Sequence, residues 1–232
     1  MFSVKTYTNS YKAEWNSFVD SSKNSTFLFK REFMDYHSDR FQDSSLLIFY
    51  DSELIALFPS NIKDKQVYSH QGLTYGGLIV KNDIKFLRYL ELFSFLLKYF
   101  NDKSIEKIFI KQIPTIYNSN FNGELDYLAF ICEAKIHRRD IISVIDMKNK
   151  NKLSKDRIQG YKRGLRNKLE IKDDDNFDKF WNSILIPTLS NKHSVSPTHS
   201  LDEIRKLKIA FDNNIKQFNV FYNGQIVAGA TI

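Results

Sequence analysis

Ile215-Lys-Gln-Phe-Asn-Val-Phe-Tyr222, Asn223-Gly224 and Gln225-Ile-Val-Ala-Gly-Ala-Thr-Ile232 read as two strands around a two-residue turn. Asn-Gly between β-rich runs is the strongest short-range hairpin signal, because a type I′ turn needs φ > 0 at both central residues. The second strand closes on an apolar pair without a charged tail. Termini usually lie at the surface, so the 232 residues are expected to be part of a longer design whose remainder holds some of the chemistry.

Upstream of the hairpin, Ser200 with Glu203 three residues on is a capping box opening a helix over 201–211. A polar loop over 191–200 carries His193 and His199 on either side of Pro197. Phe177, Phe180, Trp181, Ile184 and Leu185 recur at helical spacing over 177–189, and 170–172 reads as a short strand. Asp173-Asp-Asp175 is expected to cap the following helix rather than hold a metal.

The first half alternates signals. Strands are expected at 2–8, 45–50, 54–59, 105–110 and 140–147, with a tight hairpin at Asp51-Ser52-Glu53. Helices are expected at 10–22 (Tyr11, Trp15, Phe18 and Val19 on one face), 27–36, 84–100 and 124–132, the third apolar enough to be buried on two sides. Residues 68–80 are glycine-bearing and extended. The expected class is α/β of the layered α+β type, with a mixed, largely antiparallel sheet flanked by helices. One domain spans 1–150 and a second 151–232, divided near 148–152. The order strand, helix, loop, helix, strand, strand occurs at 2–60 and again after residue 170, a repeat of elements rather than of letters.

Hydrophobic residues make up 42% of the chain, enough for a core, and no run of 18 apolar residues reads as a membrane span. Met1-Phe-Ser-Val-Lys-Thr-Tyr7 lacks the features of a signal peptide. The single cysteine, Cys132, falls in an apolar helical run and is expected to be a core thiol rather than a nucleophile; a reducing, cytoplasmic setting fits. No histidine pair has metal-ligand spacing, so no metal site is expected.

The net charge of +7 is concentrated. Residues 148–172 hold ten Lys or Arg against Asp156 and Glu170, a local +8 that leaves the rest at −1. Ile158, Tyr161, Leu165 and Leu169 recur at helical spacing within it, and Ser154 is a plausible N-cap. One stripe is expected to pack while the basic face is either solvated or set against an anionic ligand.

Four stretches together resemble the FemAB-like branch of the GCN5-related N-acyltransferase superfamily, in which two acyltransferase folds stand in tandem. They are residues 15–41, including Asn24-Ser-Thr-Phe-Leu-Phe-Lys-Arg-Glu-Phe-Met-Asp-Tyr-His37; Ser69-His-Gln-Gly-Leu-Thr-Tyr-Gly-Gly-Leu78; Arg157-Ile-Gln-Gly-Tyr-Lys-Arg-Gly-Leu-Arg166; and Ser196-Pro-Thr-His-Ser-Leu-Asp-Glu-Ile-Arg205 with Gly224-Gln-Ile-Val-Ala-Gly-Ala230. The resemblance implies an acyl-CoA N-acyltransferase (GNAT-like) fold whose second copy is truncated. It implies acetyl-CoA or another acyl-CoA as cofactor, placed along Val227, Ala228, Gly229 and Ala230. The loop of pattern Gln/Arg-x-x-Gly-x-Gly/Ala, whose helix N-terminus would hold the pyrophosphate, is absent. Arg157-Ile-Gln-Gly160-Tyr-Lys162 begins like it but has Lys where Gly or Ala is required.

The implied activity is transfer of an acyl group to an amine of a nucleotide-linked sugar in surface polysaccharide biosynthesis. The alternatives are aminoacyl transfer from tRNA to a cell-wall precursor, or a non-catalytic binding form. Arg157, Lys162, Arg163 and Arg166 would then meet phosphates of cofactor or sugar nucleotide. A homodimer or partner chain would complete the terminal sheet edge.

Amide formation from a thioester needs a base and an oxyanion partner, and histidines titrate nearest neutrality. His70 and His199 are the catalytic candidates. Arg31, Tyr36, His37, Arg40, Gln71, Tyr75 and His193 are the substrate-binding candidates. Each has a plainer alternative: a structural hydrogen bond at a bulge for His70, an ordinary polar helix face for Arg31 to Arg40, and bracing of the following helix cap for His199.

Overall fold

Apolar side chains alternating along Phe2-Ser-Val-Lys-Thr6 form β1 (Phe2–Thr6), the first strand of the computed structural model, which describes residues 1–232. The chain separates into two units, Met1–Ile136 and His137–Ile232. In the first, β1 is followed by α1 (Lys12–Ser21), a 3-10 turn at Phe27–Phe29, α2 (Arg31–Asp35), β2 (Leu46–Tyr50), β3 (Glu53–Phe58), β4 (Asn61–Lys63), β5 (Gln66–Tyr68), β6 (Ile79–Val80), α3 (Phe86–Asp102), β7 (Lys107–Phe109) and α4 (Glu124–Ile131). A four-stranded antiparallel sheet has the order β1-β2-β3-β6, and a smaller sheet has the order β4-β5-β7 with β5 and β7 parallel. Tyr89, Leu92, Phe93, Leu96 and Phe100 recur at three- and four-residue steps along α3. That stripe joins Leu46, Ile48, Ala56 and Phe58 of the sheet in one apolar core.

The second unit holds α5 (Lys155–Arg166), β8 (Glu170–Asp173), α6 (Phe177–Phe180), a π turn at Trp181–Leu185, α7 (Ile186–His193), α8 (Leu201–Ala210), β9 (Gln217–Tyr222) and β10 (Gln225–Thr231). Its sheet has the antiparallel order β10-β9-β8. The expected helix over 177–189 is interrupted because Pro187 lacks an N–H and its ring crowds the carbonyl four residues earlier; the wider π turn accommodates it. The capping box at Ser200 and Glu203 is present.

The two units repeat one design in detail. β1-β2-β3 and β8-β9-β10 have the same order and direction. Each hairpin turns on two left-handed residues, Asp51 and Ser52 in one and Asn223 and Gly224 in the other. Each then carries one extra residue at the same step of its last strand. Ile55 is bypassed between Phe49↔Leu54 and Ile48↔Ala56, and Val227 between Phe221↔Ile226 and Val220↔Ala228. The Trp15 indole N–H donates to the Phe29 carbonyl at 2.7 Å, and that of Trp181 to the His199 carbonyl at 3.0 Å. Each acceptor lies two residues before the next helix, α2 or α8.

Five expectations fail. Residues 140–147 form no strand: Ile141, Ile142, Val144, Ile145 and Met147 are exposed, and a β pattern without a neighbouring ladder has nothing to pair with. Cys132 is exposed at the end of α4, which buries Leu128 alone and leaves Tyr127, Phe130 and Ile131 in solvent. The stripe of α5 is not packed, since Ile158, Tyr161 and Leu165 are all exposed, Leu165 at 56%. Residues 68–80 are mostly turn, with strand only at β5 and β6. α3 has one fully buried stripe with half-buried shoulders at Leu90, Phe95, Leu97 and Tyr99.

These exposures predict opposite outcomes for two Leu→Ala changes. Leu92→Ala, at a fully buried site, should cost about 2–5 kcal/mol. Leu165→Ala should cost under about 0.5 kcal/mol. Urea denaturation midpoints distinguish them; a large loss at Leu165 would mean that the α5 stripe is packed.

Candidate functional site

In the first unit the candidates gather around the loop between β5 and β6. His70 takes a left-handed φ of 67° and is 3% exposed. The His37 and His70 rings lie 5.4 Å apart, and Phe41 packs on both. Gly72 is required beneath His37, whose imidazole fills the space a Cβ would take, and Gly76 lies against the Ser69 carbonyl in the same way. The glycines therefore admit the protein's own groups.

The loop is strapped at several points. Asn61 accepts from the Gln71 N–H at 2.7 Å and donates to the Gln71 side-chain oxygen at 2.9 Å. The Lys111 N–H donates to Ser69 Oγ at 2.8 Å, and its ammonium donates to the carbonyls of Gln71 and Leu73. The Tyr75 hydroxyl bonds Thr26 Oγ1 at 2.9 Å, and its ring meets Phe29 and Tyr117. Tyr36 stacks on His37 with centroids 4.2 Å apart, and Arg40 is exposed on the turn after α2.

Arg31 is a buried ion-pair centre. Its guanidinium pairs with Asp35 and Asp43 and lies 3.6 Å over the Tyr7 ring. Burial opposes the charge on Asp43, yet Arg31 and bonds from Ser45 hold its carboxyl below the usual carboxylate range. His70 is pushed down to about 4, first by burial, then by His37, Arg31 and Lys111, against the opposing pull of Asp43. It is neutral at pH 7 and shielded from solvent. Asn61, Asp43 and Lys111 carry no motif that marks them in the sequence. Apart from Ser45 beside Asp43, their partners lie ten or more residues away, which local patterns do not encode.

The second unit places its candidates apart from one another. His193 is exposed in the last turn of α7, where a cation suits the helix dipole. His199 is half-buried, and its carbonyl takes the Trp181 bond. Arg157, Lys162, Arg163 and Arg166 are exposed along α5, capped by Ser154. Val227, Ala228, Gly229 and Ala230 lie on β10, an edge strand. Val227 is the bulged residue, outside the ladder pairs. A Cβ on Gly229 would approach the Phe180 ring to 2.5 Å, so a glycine is needed for β10 to sit on α6.

No protein-family model and no curated protein matches the chain. Among solved structures, FemX matches over 95% of this chain at 11% identity with a TM-score of 0.57. The chain has a FemX-like fold. It is the fold that the resemblance to the FemAB-like branch implied. The ribosomal-protein-S18-alanine N-acetyltransferase from Escherichia coli matches 45% of the chain at 9% identity with a TM-score of 0.33, and no argument rests on it. The chain spans 58% of FemX and 63% of the acetyltransferase. The FemX-like fold contains no helix long and apolar enough to cross a membrane, and no cluster of three or more His, Cys, Asp or Glu side chains that could hold a metal ion.

Burial of neutral His70 fixes a pH dependence. Its folded pKa, about 4, lies below the ordinary 6.5, so the unfolded chain binds the extra proton between those values. Its contribution is complete above pH 6.5 and is lost as pH falls toward 4, at most about 3 kcal/mol. Denaturation midpoints of wild type and His70→Asn, a residue that tolerates the left-handed backbone, should converge as pH falls through that window. Parallel curves would contradict burial of the neutral ring.

Proposed function

We propose that the chain belongs to an N-acyltransferase of tandem fold that moves an acyl group, acetyl from acetyl-CoA in the first instance, to an amine of a nucleotide-linked sugar. One observation carries this reading: the chain has a FemX-like fold in which the same bulged hairpin strand recurs in both units. In β3, Ile55, Ala56, Leu57 and Phe58 are buried, and the outer edge pairs with β6 through Ala56↔Val80 and Leu57↔Ile79. In β10 the equivalent positions are Val227, Ala228, Gly229 and Ala230, none larger than its counterpart in β3. A bulged strand with short side chains leaves its backbone within reach of an extended amide-bearing chain, and the arm of coenzyme A is such a chain. The bulge at Val227 adds backbone groups outside the ladder, which suit the polar atoms of a thioester. The cations of α5 would meet the phosphates of cofactor or sugar nucleotide.

The exposure of those cations along a whole helix face also favours a second reading, in which the acyl donor is an aminoacyl-tRNA. Salt separates the two. RNA binding through four cations should fall with a log–log slope of about −3, whereas a small nucleotide should show a shallower dependence.

The test is calorimetry with acetyl-CoA together with thiol release in the presence of a UDP-linked amino sugar. Val227→Pro removes the bulge N–H at a position that tolerates proline. It should weaken acetyl-CoA binding about tenfold or more and leave the melting temperature unchanged. Absence of binding at millimolar acetyl-CoA would sink the donor assignment.

A further inference from the structure

We infer that a small polar cavity beside α3 is a binding site for one ordered water, which latches residues 112–122 onto the helix. The cavity has room for about 10 Å³ and is lined by Asn24, Gly76, Tyr89, Gln112, Asn118 and Asn122, among others. That is the space of a single water molecule. Tyr89 is 0% exposed, and its hydroxyl, with Asn118 Oδ1 and Asn122 Oδ1, is buried without a hydrogen bond to the protein. Three such atoms on residues that line one cavity call for a shared partner.

The lining chooses that ligand. Asn24 is already spent: it donates to the Leu78 carbonyl at 2.8 Å and accepts from the Val80 N–H at 3.0 Å. Gln112 is exposed to solvent, so one buried hydroxyl and two buried amide oxygens remain without a partner. Burial pushes the Tyr89 hydroxyl upward, so it keeps its proton and donates. A water accepts that proton and donates its own two to Asn118 and Asn122, the three bonds typical of a buried water. An ammonium or alkali ion suits the acceptors less well. The neighbouring carboxylate, Glu124, already pairs with buried Lys23 at 2.5 Å. A further cation would leave net charge in a low-dielectric site. Anything larger than a water exceeds the volume.

The position gives the water a role. α3, the loop at Gly76 and the segment 112–122 meet at this cavity. Tyr117 in that segment packs on Tyr75 at 5.4 Å, and Ser119 bonds the Lys23 carbonyl through both its N–H and its hydroxyl. The water would tie the same segment to Tyr89, so that the chain lying over Tyr75 is held from both ends.

A crystal structure of the chain, fine enough to place solvent, should show one water within hydrogen-bond reach of Tyr89 Oη and of both asparagine side chains. In Tyr89→Phe the water should be lost, the melting temperature should fall by about 2–4 °C, and amides of residues 115–122 should exchange faster. A dry cavity, direct bonds from Asn118 and Asn122 to protein groups, or an ammonium or rubidium ion occupying the site in soaked crystals would each overturn the inference. So would a Tyr89→Phe protein equal to wild type in melting and exchange. If that variant does not fold, the wild-type structure alone decides.

Discussion

The first unit depends on one buried guanidinium. Arg31 is nearly inaccessible, and a buried charge without partners costs several kcal/mol. The chain must therefore bring Asp35 and Asp43 to it, and Tyr7 and Trp15 lie over its faces. The consequences run outward. Asp43 bridges to Asn61, Asn61 clamps Gln71 from both sides, and Gln71 lies between His70 and Gly72, over which His37 closes. A residue type commonly used to grip phosphates is here committed to holding α1, α2 and the start of β2 in place. The glycine-bearing loop around His70 is in turn closed by the protein's own groups, the His37 ring and the Ser69 carbonyl.

The repeat shows where the second unit departs from the first. Both units keep the tryptophan clamp, the two-residue turn and the bulge one step beyond it. These set backbone geometry and are indifferent to ligand. The difference lies in the residues on the C-terminal side of the bulge. Leu57 and Phe58 in β3 are both buried, Phe58 in the core with α3, whereas Gly229 and Ala230 in β10 present little but backbone. The same frame thus carries bulky side chains in one copy and short ones in the other.

Much of this is legible in the sequence wherever the signal is local. Asn223-Gly224 announces its turn, Ser200 with Glu203 its cap, and the 3.6-residue stripe of α3 its buried face. Signals that depend on distant partners mislead. Residues 140–147 have the composition of a strand but no neighbour to pair with, and Cys132 has apolar neighbours in sequence but not in space. The glycines at 72 and 76 correctly announce a close approach, yet the approaching groups are the His37 ring and the Ser69 carbonyl. The letter-level repeat is hidden because Trp15 and Trp181 reach their carbonyls across 14 and 18 residues. Only the fold aligns them.

The central claim is that ligand chemistry belongs to the bulged edge strand of the second unit, while the His37–His70 cluster is internal support. Amide chemical-shift mapping during a coenzyme A titration tests it most directly. The account predicts shifts centred on Ile226 to Ala230, with the amides of Ser69 to Gly77 unmoved. Shifts centred on Ser69 to Gly77, with β10 silent, would contradict it.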